Sequence, residues 1–201
     1  MKKMVSVLLS IWIVLMFGGC ATLEVTPPHQ LKTAEKTVPA TVLVEAAGER
    51  LRGAFSTSEE SVLNAASGKL FEKVIMLPEE MQSKSPEELK AIYGSAYVLS
   101  VNIADVNVHG DLNPFWFIAA PMLFFKPLAP IVTFESTVTL YGEAVEAGAG
   151  ALLLKREFSE TSTDHFSPVK PEEKVRKLTT RSINGALALM LEELHSTVTK
   201  K

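Results

Sequence analysis

The chain has 201 residues, 47% of them hydrophobic, a net charge of −3 and one cysteine. Near-neutral charge without a basic stripe or an aromatic–basic motif argues against nucleic acid as a partner. A lone cysteine rules out a fold stabilised by internal disulfides, so a single domain must rest on its own apolar core.

The chain opens with Lys2 and Lys3, then an apolar run from Val5 to Phe17 broken only by Ser6 and Ser10, then Gly18-Gly19-Cys20. A positive start, a short apolar stretch and small residues are the parts of an export signal. The run is shorter than the roughly 20 residues a membrane-spanning helix needs. Its ending resembles the lipobox of bacterial lipoproteins, with Phe17 where Leu is usual. That resemblance implies removal of residues 1–19 and acylation of Cys20. Ala21, in place of Asp, implies sorting to the outer membrane with the domain facing the periplasm. Several acyl chains make such an anchor effectively permanent. The alternatives are an ordinary cleaved signal and an uncleaved anchor. An acylated Cys20 leaves no thiol for metal or redox chemistry.

Residues 20–39 read as the lipidated cysteine and a tether. Thr26-Pro27-Pro28, the polar run Gln30–Thr37 and Pro39 stiffen and extend it. The other reading of this stretch is an edge strand through Leu23 and Val25. The domain is expected over 40–201.

Thr41-Val42-Leu43-Val44 is β-branched and apolar, a strand signal. Thr57 and Glu60 are spaced as a capping box, with Ser58 as an alternative cap. Val62, Leu63, Ala66 and Leu70 follow at helical intervals. Val74 to Leu77 is a short strand stopped by Pro78. Ser85-Pro86-Glu87-Glu88 starts a second helix, which Gly94 ends. Tyr97, Leu99, Val101 and Ile103 alternate with more polar residues, and the alternation slips near Asp105, predicting a bulge. Thr133–Val145 and Ala151–Thr161 form a hairpin around Ala147-Gly148-Ala149-Gly150. Pro171 to about Val198 is one long helix, with Val175, Leu178, Ile183, Ala186, Leu187, Met190 and Leu194 as its apolar stripe.

This order predicts an α+β fold, a single antiparallel or mixed sheet with helices packed on one face. Leu89 to Ser100, a helix, a glycine and a Tyr-Val-Leu strand, resembles a periplasmic domain group. That group includes the N-terminal domain of TolB, the penicillin-binding-protein activator LpoB and the curli secretion lipoprotein CsgG. The acid of the group's motif is absent here. The resemblance implies a fold and no function, because one fold hosts many.

The segment Leu112–Val132 stands apart. It joins two strands, where loops are normally polar, yet it holds Phe115, Trp116, Phe117, Phe124 and Phe125 with Lys126 as its single charge. Pro114, Pro121, Pro127 and Pro130 forbid one long regular helix. Three arrangements account for it: a crossover packed into the core, a membrane span, or an exposed docking surface for protein or lipid. Docking ranks first, since contiguous exposed aromatics usually mark binding. The segment does not alternate as a membrane-crossing hairpin would, which argues against a pore.

The sequence has no Gly-x-Ser-x-Gly turn and no His-Glu-x-x-His helix. Ser67-Gly68-Lys69 ends like a phosphate loop, but Leu63 and Leu70 occupy positions that need Gly and Ser or Thr. His109-Gly110-Asp111 and Asp164-His165 could meet at one end of the sheet, a set that suits zinc. Ordinary polar turns explain them better, so no catalytic residue, metal or cofactor is assigned. The expected function is non-catalytic docking or assembly at the envelope. The expected partners are the membrane, through the lipid, and an envelope protein. A structural or secretion-type homo-oligomer ranks second and a metal-dependent hydrolase third.

Overall fold

The structure is a computed structural model that describes residues 29–56, 61–112, 132–166 and 171–200. It contains one five-stranded mixed sheet with helices, as the α+β expectation requires.

Strand β1, Val38–Ala46, lies between two parallel neighbours, β2 (Phe71–Met76) and β3 (Tyr97–Leu112). A strand covered on both faces reads as a continuous apolar run, and Val42, Leu43 and Val44 are all fully buried. Strands β4 (Val132–Glu146) and β5 (Leu152–Phe166) continue the sheet antiparallel, giving the order β2-β1-β3-β4-β5.

Between β1 and β2 the chain makes helix α1 (Glu49–Ser56) and helix α2 (Val62–Ala66). The sequence reading missed α1, although Leu51, Ala54 and Phe55 are spaced to share one face and all are buried. Gly48 allows the sharp entry into it, with φ at +85°. Helix α2 is shorter than its apolar spacing predicted. Gly68 turns left-handed at φ +79°, so Leu70 is buried from the loop rather than from the helix. The predicted caps Thr57, Ser58 and Glu60 lie outside the described residues.

Helix α3, Pro86–Tyr93, has the predicted capping box: the Glu88 N–H donates to Ser85 Oγ (3.3 Å) and the Ser85 N–H to Glu88 Oε2 (2.9 Å). It ends at Gly94, left-handed as expected. The register slip predicted near Asp105 is present between Ile103 and Asp105. Beyond it Val106 and Val108 take the apolar side.

Helix α4, Pro171–Thr199, has 29 residues and is therefore about 44 Å long. Leu178, Ile183, Ala186, Leu187, Met190 and Leu194 are buried, and all but Leu178 join Val42, Val44, Leu99, Val138 and Leu140 in the main core. Small residues let α4 approach closely: a Cβ added at Gly185 would lie 2.7 Å from Glu160 Cγ. Alternation turns Leu43 to the other face, where it clusters with Leu77, Val98 and Leu89 of α3. The main helical layer is thus on one face, and α3 covers one end of the other.

Candidate functional site

Strand β1 pairs with β3 only from Tyr97 to Val101. Beyond that point β3, β4 and β5 run on as a three-stranded ribbon, paired until Leu112 meets Val132 and Val132 meets Phe166. The ribbon exists because both hairpin strands are long and β-branched on alternate positions. One face packs under α4 through Val138, Leu140 and buried Ser136, whose backbone carbonyl accepts from Ser182 Oγ at 2.7 Å.

The other face is polar. Asn107, His109 and Asp111 of β3 lie beside Thr137, Glu135 and Thr133 of β4, which pair with Thr161, Thr163 and His165 of β5. Cross-strand hydroxyl bonds join Thr137 to Thr161 (2.9 Å) and Thr139 to Ser159 (3.1 Å). A solvated face of this kind needs no cover.

Cys20, Phe115, Trp116, Phe117, Phe124 and Phe125 all lie outside the described residues. What is described is the frame around the aromatic segment: its flanks, Leu112 and Val132, are paired with each other at the ribbon's end.

The histidine pair is separated. His109 stands in β3 with its Nε2 3.1 Å from Asp111 Oδ1, and His165 stands in β5 with its Nδ1 2.9 Å from Thr133 Oγ1 of β4. With β4 between them, the two strands are about 10 Å apart, and each imidazole is bonded to a neighbour rather than to the other. Asp164 turns to the helix side, where it accepts from Arg181 at 3.3 Å. Among the described residues no group of three His, Cys, Asp or Glu could hold a metal ion. Nor is any described helix long and apolar enough to cross a membrane.

Two pKa shifts have clear causes. Burial, then the Glu146 carboxylate, raises the Tyr97 phenol above its usual value. Hydrogen bonds to Glu143 and Tyr141 raise Lys155. Both shifts hold the protonated form, which provides no nucleophile.

Two features escaped the sequence reading. The last part of the expected tether is laid along the domain: the His29 N–H donates to Glu160 Oε1 (2.8 Å), the Lys32 N–H donates to Glu192 Oε1 (2.7 Å), and Leu31 and Ala34 pack against the core. The other is a groove between α1 and α4, whose lining includes Arg50 and Arg176 from positions far apart in sequence.

No protein-family model and no curated protein matches the chain. Solved structures do. A lipoprotein from Neisseria meningitidis is 13% identical, with 69% of this chain and 94% of that one covered and a TM-score of 0.36. A minor lipoprotein from Acinetobacter baumannii is 12% identical over 80% and 94%, with a TM-score of 0.39. The dodecamer of a leucine-to-methionine variant of PelC from Paraburkholderia phytofirmans is 15% identical over 80% and 92%, with a TM-score of 0.36. Likenesses this distant say nothing of what the present chain does.

Proposed function

We propose that this chain is a lipid-anchored, non-catalytic docking module of the bacterial outer membrane, facing the periplasm. Cys20 carries the anchor. Phe115, Trp116, Phe117, Phe124 and Phe125 supply the contact with an envelope protein or with the bilayer surface. The observation that carries this reading is the pairing of Leu112 with Val132 at the ribbon's far end, beside a face that is polar throughout. An apolar segment that starts and finishes there is close to whatever the ribbon meets. Aromatic side chains concentrate binding energy in such contacts.

Chain lengths agree with a common membrane for both features. Nine residue steps lead from Cys20 to His29, a reach of at most about 30 Å. His29 is held at Glu160, and the six residues from there to the end of β5 span about 20 Å. An anchored lipid and the ribbon's end can therefore meet one bilayer face. An anchor also raises the local concentration of the docking segment by confining it near its target. Replacing Trp116 and Phe117 together by Ala tests the reading: envelope binding is lost while the fold is kept. Unchanged binding by the folded variant contradicts it.

A second reading has its own observation. Strand β5 is a 15-residue edge, with no strand beyond it among the described residues. Open edges template pairing with another chain, so self-association into a structural assembly is the alternative. Light scattering separates the two, because a monomer with the docking activity intact excludes it.

A further inference from the structure

The groove between α1 and the first half of α4 has a volume of about 740 Å³. Its lining carries four cations, Arg50, Arg176, Lys177 and Arg181, against one acid, Glu49. That is a local excess of positive charge on a chain whose net charge is −3. Lys177 and Arg181 are engaged, with Glu173 at 3.1 Å and Asp164 at 3.3 Å. Arg50 and Arg176 are exposed and make no ion pair among the described residues. Two guanidinium groups facing one concavity from separate helices are suited to a phosphate, which each can bind through paired N–H donors.

Gly53 lies within α1 and lines the groove, and a Cβ added there would meet no described atom within 4 Å, so a larger side chain at this position would extend into the groove.

Position selects the source of the phosphate. Arg181 bonds Asp164, two residues before β5 ends at Phe166, so the groove is level with the ribbon's end. We infer that this groove binds the phosphate of an anionic lipid headgroup at the membrane surface that the ribbon's end approaches. The inference rests on the docking reading for where the membrane lies.

The test is sedimentation of residues 21–201, which include every described residue, with vesicles of phosphatidylcholine alone and with vesicles containing phosphatidylglycerol. Binding to the anionic vesicles is expected to be at least about tenfold tighter, since a basic side chain near such a surface contributes about 1 kcal/mol. Arg50→Glu with Arg176→Glu removes that preference. Gly53→Leu removes it by filling the groove, without a charge change and with improved helix propensity, so it also serves if the charge variant misfolds. Lys73→Glu, a charge reversal on β2, keeps it. Equal binding to both vesicle types overturns the groove assignment and leaves the docking reading standing. Binding to neither overturns both. Equal losses in Lys73→Glu and the arginine variant reduce the preference to general surface charge. Stabilisation by inorganic phosphate, without any vesicle preference, assigns the groove to a free anion instead.

Discussion

His29 Nε2 lies 3.1 Å from Glu192 Oε1, and this contact, with the Lys32 N–H on the same carboxylate oxygen, fixes where the chain enters the domain. Glu192 thus serves as a clasp for a stretch whose composition reads as linker. Glu192→Ala is expected to release residues 29–37 and leave the core intact. Trypsin should then cut at Lys32 and Lys36 several-fold faster, with little change in the melting temperature, because local opening is separable from global unfolding. Equal cleavage rates would show that the other bonds of the stretch, at Glu160, His195 and Gly68, together with the packing of Leu31 and Ala34, hold it without Glu192.

Gly142 and Met190 define how closely α4 sits on the sheet. A Cβ at position 142 would overlap Met190 Sδ and lie 2.6 Å from its methyl carbon. Met190 is fully buried and has little room to move. Gly142→Ala should therefore destabilise the domain by about 1–3 kcal/mol, the usual range for overpacking. Denaturant unfolding measures this, and Met190→Ala in the same chain should recover part of the overpacking cost.

The capping box of α3 gives a smaller effect. Ser85→Ala removes the acceptor for the Glu88 N–H and should cost about 1 kcal/mol. Ser85→Gly should cost only a few tenths of that unit, so the pair separates loss of the cap from loss of backbone preference.

Tyr97 predicts the alkaline limit of the fold. Its pKa is raised in the folded chain, by burial first and by Glu146 second. The unfolded chain therefore releases this proton at lower pH than the folded one. The stability contribution is complete below the ordinary tyrosine value of about 10 and is lost as pH rises through the folded value. Unfolding free energy should fall over that window, and Tyr97→Phe should flatten the fall.

Much of this architecture is legible in the sequence because its signals are local. The Ser85 cap, the Gly94 stop, the slip at Asp105, the hairpin at Ala147 to Gly150 and the long apolar stripe of α4 are each written within a few residues. Helix α1 shows the limit of such signals. Its buried set is only Leu51, Ala54 and Phe55, a pattern too short to stand out against the adjacent loop. Helix α2 was overextended for the opposite reason, since Leu70 has helical spacing but reaches the core after Gly68 has turned the chain. The groove had no sequence signature, because Arg50 and Arg176 line one concavity only through the packing of α1 on α4. The docked strap was missed because its bonds run from backbone N–H groups to Glu160 and Glu192, partners that no local pattern announces. The aromatic segment is legible as composition, and its flanks Leu112 and Val132 give it an address at the ribbon's end.

The central claim is that this segment, and not only the lipid, makes the contact. Flotation with liposomes tests it most directly, using residues 21–201, which lack the acylated cysteine, beside the same chain carrying Trp116→Ala and Phe117→Ala. On the membrane form of the claim, the unaltered chain floats and the folded double variant stays at the bottom of the gradient. Flotation of both folded chains to the same extent would contradict it.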